Sequence, residues 1–321
     1  MNASKAVFPD NLISGQSLFR ERQQRKNEFY VQTIPLARLP EFEGDGWKEH
    51  RRYKSKVRVK KDKPFDLQFE DRVWCMLANM GFEKMSSGRD FKIPYSEGAD
   101  LTQQVDVVAI DAETVLIVEC KASETINKNK TFKEVIEAFG GRKEGMLKTI
   151  RNAFPESKHK VKFIFATTNY VLNEQDLKRL EHYGIAYFDE DEVEYYEELT
   201  THLGHAARYQ LLGNLFDGQI VPEIENRVPA IRGKLGGHVF YSFAIEPERL
   251  LKLGFVLHRH KANKELMPTY QRMLKKDRLK SIEKFISDGG YFPNTIIVSL
   301  ESDSPLKFEL AKTNCDETIC R

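Results

Sequence analysis

Cysteine is scarce in this sequence, with four among 321 residues. That is too few for the disulfide framework of a small secreted domain, and it fits a reducing compartment. No stretch of about 18 apolar residues occurs, so no membrane span is expected. The opening residues, MNASKAVFPDNLISGQSLFRER, lack the apolar core of a secretory signal, which makes the cytoplasm the expected location. A surplus of one charge is missing too: the formal net charge is only +2, which by itself implies no partner. No G-x-x-x-x-G-K-[ST] run is present, which excludes a P-loop ATPase on this chain. What remains is 40% apolar and 31% charged, a globular composition on the polar side. The length suits about two domains.

Charge is concentrated even though it nearly cancels. Lys48 to Lys63 (KEHRRYKSKVRVKKDK) holds nine Lys/Arg against two acids. Asp189 to Glu198 (DEDEVEYYEE) holds seven acids and no base. The basic run, with Arg51, Arg52, Lys54, Lys56, Arg58 and Lys60, can neutralise phosphates in a salt-dependent, sequence-blind way. A solvated charged arm is the competing reading. Residues 1–64 are polar and carry Pro9, Pro35, Pro40 and Pro64, with a short helical pattern around Gly15 to Phe29. An extended basic arm is expected there.

The pattern sharpens from Phe65. Phe69, Val73, Met76, Leu77 and Met80 form one helical stripe, with Asp66 as a candidate cap and Gly81 as the stop. Arg89 to Pro94 predicts a short strand. Val105 to Ile110 and Thr114 to Cys120 are β-branched runs around Asp111-Ala112-Glu113 and predict an antiparallel hairpin. A helix is expected over Phe132 to Phe154, weakened by Gly140, Gly141 and Gly145. A strand (162–167), a helix (173–183), a strand (185–188) and a helix (191–199) follow. This order predicts an α/β domain with a mixed sheet over 65–200.

The chemistry-bearing stretch is Gln103 to Ser123. Asp106 stands in an apolar strand, where a carboxylate is costly without compensation. Glu119 and Lys121 end the next strand and share a face, being two residues apart. Two carboxylates aimed at one spot repel unless a cation lies between them. Oxygen ligands suit Mg²⁺ or Mn²⁺, and such an ion acidifies water and polarises a phosphoryl oxygen. Lys121 can then orient water or stabilise charge on phosphorus oxygens. Glu70 falls beside Leu77 at the border of the helical stripe and can approach the same point, whereas Asp71 falls nearly opposite. Gln103 and Gln104 offer hydrogen bonds there, or mere polarity at a strand start. The competing structural reading puts Asp106 and Glu119 in salt bridges with Lys121 or a distant arginine.

The ordered set FEDRVWCMLANMGF, Asp106, Glu119-Cys120-Lys121, KFIFATTN and YGIAYFDEDEVEYY resembles the PD-(D/E)xK nuclease superfamily, specifically its Mrr-like and Holliday-junction-resolvase-like members. The resemblance implies a restriction-endonuclease-like mixed sheet flanked by helices. It implies metal ligands at Asp106 and Glu119, an accessory acid at Glu70, a catalytic Lys121, and Mg²⁺ or Mn²⁺ as cofactor. The proline that precedes the aspartate in that superfamily is Val105 here. The expected activity is DNA endonuclease action in restriction or phage defence, as a homodimer or beside other defence subunits. RNA as substrate, or a non-catalytic DNA-binding module that keeps the fold, stays open.

A smaller α+β region is expected over 201–321. Gly236 to Tyr241, Tyr270-Gln271-Arg272, Arg278 to Ile282 and Gly290 to Val298 resemble the front of DGQHR-domain proteins, related to DndB and ParB. The namesake motif does not follow, so the chain reads as the front of a longer protein or a shortened member. Expected elements are a strand (238–244), a helix or strand (249–258), a basic helix (269–287) and a strand (294–300). Cys315 and Cys320 lack a partner pair for zinc, and Cys75 and Cys120 read as core. Neither the His202/His205 nor the His258/His260 pair brings carboxylates at a motif spacing.

Overall fold

A computed structural model of the chain describes residues 8–96, 101–157, 159–216, 229–247, 250, 276–292, 295–298 and 308. In chain order the elements open with β1 (Leu12–Ser14), α1 (Gly15–Arg25), β2 (Phe29–Pro35), α2 (Leu39–Gly44), β3 (Lys48–Arg52) and β4 (Lys56–Asp62). Then come α3 (Phe65–Asn79), β5 (Lys84–Ser86), β6 (Lys92–Pro94), β7 (Thr102–Gln104), β8 (Val107–Ile110) and β9 (Thr114–Asn127). Next are α4 (Lys133–Gly141), α5 (Lys143–Ala153), β10 (Lys160–Tyr170), α6 (Glu174–Tyr183), β11 (Ile185–Phe188), α7 (Glu190–Leu203) and α8 (Ala207–Leu215). The hairpin β12 (Ile231–Leu235) and β13 (His238–Ser242) and helix α9 (Lys276–Ser287) complete them. The chain divides into two units, 1–280 and 281–321.

The fold is α/β: a mixed sheet flanked by helices, with smaller sheets beside it. Six strands run in the order β1-β5-β8-β9-β10-β11. Neighbours pair antiparallel from β1 to β9, then parallel from β9 to β11. β9 is buried from Thr114 to Cys120 because both faces of the sheet are covered. Val115 and Ile117 pack with Ile136, Met146 and Leu180 of α4, α5 and α6. Leu116, Val118 and Cys120 alternate to the other face, against Phe69, Val73, Val193 and Leu211 of α3, α7 and α8. Each such aliphatic or aromatic side chain contributes about 1.5–3 kcal/mol when fully buried. Two cores therefore clamp the end of β9 that carries Glu119 and Lys121. Among the described residues, no helix is long and apolar enough to cross a membrane.

The expected stripe of α3 is buried in full, and Gly81, at φ +85, ends the helix in a conformation few other residues adopt. Asp66 is not its cap; the cap position is Pro64. The helix expected over 132–154 is two helices broken at Arg142. Gly145 allows the second to lie against β6: a β-carbon there would collide with the Tyr95 carbonyl.

Where an extended arm is expected over 1–64, the described residues 8–64 are instead regular structure. β1 joins the main sheet, and β2, β4 and β3 form a three-stranded antiparallel sheet over a small core of Ile34, Leu39, Val57 and Val59. The expected second region does not start cleanly at Thr201, which lies inside α7; the core runs on through Ala207, Leu211 and Leu215. Of the elements expected further on, 249–258 falls almost wholly outside the described residues, and the 269–287 helix is seen from Lys276. Residues 295–298 are not a strand. Tyr270, Gln271, Arg272, His258, His260, Cys315 and Cys320 lie outside the described residues.

Candidate active site

The carboxylate site stands where β8 stops and β9 continues. Their pairing runs from Ile110↔Val115 to Val107↔Val118. Asp106 lies just before β8 rather than inside it, and its N–H still donates to the Val118 carbonyl at 3.2 Å. Beyond that rung β9 has lost its neighbour on this side. The Cys120 N–H therefore donates to Asp106 Oδ2 at 2.7 Å. A side chain takes over the ladder from a strand, which fixes Asp106 at the sheet's open end.

Glu119 and Lys121 flank Cys120 and point together, as alternation requires. Lys121 Nζ donates to Glu119 Oε1 at 2.6 Å and to the Cys120 carbonyl at 3.0 Å. Cys120 is buried between them, and burial pushes its thiol well up, so it is inert packing. Glu70 arrives from α3. Arg89 Nη1 donates to its Oε2 at 3.2 Å. The sequence thus brings Glu70, Asp106, Glu119 and Lys121 into one electrostatic neighbourhood.

The field there is short of positive charge. Burial, then the charge of Asp106, pushes Glu70 up to about 7, against the pull of Arg89. Burial, then Asp106, pushes Glu119 up to about 7 as well, against Lys121. Burial raises Asp106 despite Lys121, the Cys120 N–H and Arg89. For Lys121, burial favours the neutral amine, but Glu119 and Asp106 outweigh it and raise its pKa. Each carboxylate has one oxygen engaged: Glu70 Oε2, Asp106 Oδ2 and Glu119 Oε1. The other oxygen of each accepts no hydrogen bond among the described residues. As donors, three hard carboxylates with a spare oxygen apiece fit a divalent ion such as Mg²⁺ or Mn²⁺. Among the described residues, no group of three or more His, Cys, Asp or Glu side chains is arranged to hold a metal ion as it stands. Lys121 is the cation on Glu119 instead.

Asp71, expected on the far side of the helix, is buried. It holds Lys63 Nζ at 2.7 Å, Arg89 Nη2 at 2.7 Å and Arg25 Nη1 at 3.1 Å. Arg89 thus bridges Asp71 and Glu70, a role that no motif spacing announces. Gln103 and Gln104 do not serve the carboxylates. Gln103 Oε1 accepts from Arg142, and Gln104 Nε2 donates to the Arg89 carbonyl. The acidic run 189–198 builds α7, where Asp189 caps the helix, Glu197 pairs with Arg72, and Tyr195 and Tyr196 are buried.

The basic run divides by strand alternation. Lys56, Arg58 and Lys60 leave β4 opposite to the buried Val57 and Val59. Arg51 pairs with Arg58 in register and joins them. Arg52 pairs with Val57, on the other side, and its guanidinium is taken by Glu49 at 2.5 Å. Lys54 lies in the exposed turn between β3 and β4.

No protein-family model and no curated protein matches the chain. Among solved structures, protein VC1899 from Vibrio cholerae aligns at 11% identity and a TM-score of 0.29, over 60% of this chain and 50% of that one. The chain thus spans half of that protein's length, and a likeness this slight informs neither fold nor function.

Proposed function

We propose that the chain is a metal-dependent DNA endonuclease that hydrolyses phosphodiester bonds, in a restriction or phage-defence role. The observation that carries this reading is the cluster of three desolvated carboxylates beside one lysine at the open end of the sheet. Acids whose pKa values are driven up by burial and by one another mark a place that favours added positive charge. A resemblance to PD-(D/E)xK nucleases rests on the same residues.

Glu70, Asp106 and Glu119 would hold Mg²⁺ or Mn²⁺, which supplies Lewis-acid polarisation of a phosphoryl oxygen and acidification of water. The remaining work belongs to the chain. Lys121, its pKa raised, is an ammonium at neutral pH and therefore donates hydrogen bonds. It stabilises negative charge growing on the phosphorus oxygens. Asp106 is held by the Cys120 N–H, which donates to its Oδ2. Arg89 does the same for Glu70 from behind.

A second reading is a DNA-binding or regulatory module that keeps the fold without cutting. The pairing of Lys121 with Glu119 at 2.6 Å favours it, because that carboxylate is already partly neutralised. Plasmid incubated with the pure chain and Mg²⁺ or Mn²⁺ separates the two. Wild type should nick or linearise the plasmid. D106N, which keeps an acceptor for the Cys120 N–H, and K121M should each lose roughly 10²–10³-fold or more. Equal cleavage by wild type and both variants would remove the hydrolase reading; DNA retention with no cleavage under either metal would establish the second.

A further inference from the structure

We propose that the exposed face of the β2–β4–β3 sheet is a docking surface for the phosphate backbone of double-stranded DNA. The choice of ligand rests on the nuclease reading; the surface rests on its own geometry.

The sheet is two-sided. Ile34, Val57 and Val59 are buried beneath it. On the opposite face Arg58 stands between Arg51 of β3 and Thr33 of β2. One rung along, Lys60 stands between Lys48 and Val31. Lys56 continues the row towards the β3–β4 turn. Two like-charged pairs thus lie directly opposite each other in adjacent strands, which destabilises a sheet.

Nearby acids do not relieve this. Glu49 is opposite Val59, on the covered side, and is committed to Arg52. Asp62 reaches only Lys48, at 3.7 Å and well exposed. Among the described residues, Arg51, Lys56, Arg58 and Lys60 form no ion pair. Aromatic rings hold two of them: Lys60 Nζ lies 4.4 Å from the Phe29 ring centre and the Arg51 guanidinium 5.4 Å from that of Tyr53.

Such a face needs a partner with several negative charges in a row. From Lys56 to Lys60 the patch is about 13 Å long at roughly 3.3 Å per residue, and its strands are about 4.8 Å apart. A lone carboxylate or phosphate answers one cation, whereas a DNA strand presents a charge to each. The surface is joined to the carboxylate site through the chain itself. β4 leads into Lys63, whose ammonium binds Asp71, the residue after Glu70.

The test is fluorescence anisotropy of the full chain with a short labelled duplex, in EDTA, over a range of salt. Wild type should bind, with affinity that falls steeply with salt. R58E should weaken binding at least tenfold and lower the slope of log affinity against log salt by about 0.9 or more. R38E makes the same change of charge at an exposed residue paired with Glu41 outside the sheet, and should stay within twofold of wild type. R58T reports on the fold: removing a like-charge pair should raise the thermal midpoint while binding weakens. Equal loss in R58E and R38E would reduce the effect to net charge and overturn the proposal. Tighter binding to single-stranded RNA or to anionic vesicles than to the duplex would overturn it too. If wild type cuts and R58E binds normally, the surface fails and the nuclease reading stands. If R58E loses binding and wild type never cuts, the reverse holds.

Discussion

Glu70 and Asp71 are neighbours on α3, yet they belong to opposite electrostatic regimes. Asp71 is buried among three cations, Arg25, Lys63 and Arg89, all within 3.1 Å. Glu70 faces Asp106 and has the same Arg89 as its one ion-pair partner among the described residues. One cluster has more positive than negative charge at its centre; the other has three acids served by Lys121 and a shared arginine. Burial is common to both, so burial does not decide their roles. The count of partners does. A compensated carboxylate ties elements together: Asp71 joins α1, the end of β4 and the loop before β6 to one helix. An undercompensated cluster stores unfavourable energy that a cation can relieve, and such clusters are where function concentrates.

The sharpest way to break this comparison is to remove Asp71. D71A leaves three cations near one another without their anion, and breaking a buried pair on one side costs about 3–5 kcal/mol. Urea unfolding should show a loss of that size, and D71N a smaller one because its amide oxygen still accepts. If D71A unfolds like wild type, Asp71 is not the tie described. Arg89 comes next, because it serves both clusters. R89M should cost about 1–3 kcal/mol, less than D71A, since Asp71 retains Arg25 and Lys63. It should also leave Glu70 without its counter-charge, so Mg²⁺ should raise the unfolding midpoint of R89M more than that of wild type. An equal rise in both would separate Arg89 from the acidic cluster.

The two clusters differ in how far the sequence announces them. The strand runs 105–110 and 114–120 and the stripe of α3 are periodic, so the hairpin and its helix are legible, and with them the meeting of Asp106, Glu119 and Lys121. Asp71 is not legible. One helix's pattern gives the apolar stripe, but α1 covers a second side of α3, where Arg25 pairs with Asp71 and lies over Trp74 and Arg22 donates to Asn79. The three-stranded sheet was hidden differently. Lys56-Val57-Arg58-Val59-Lys60 alternates as a half-buried strand should, but its composition reads as a solvated charge run. The close approach of Gly145 to Tyr95 is a contact between residues far apart in sequence, which local periodicity does not show.

The smallest expected effect concerns Glu70 itself and turns on sign. Its folded pKa of about 7 lies above the ordinary 4.5, so between these values the native state holds a proton that the unfolded chain has released. Stability from this group is therefore lost as pH rises from about 4.5 to 7, and the cost is fully present at pH 8. E70Q removes the ionisation. It should match wild type near pH 4 and exceed it at pH 8, by on the order of 1 kcal/mol once partial exposure is allowed for. Urea midpoints at the two pH values, without divalent metal, measure this directly. Mg²⁺ at pH 8 should then raise the wild-type midpoint and leave that of E70Q less changed. If E70Q instead weakens the fold at pH 8, as the loss of Asp71 should, then Glu70 belongs to the compensated network and the division between neighbouring residues disappears.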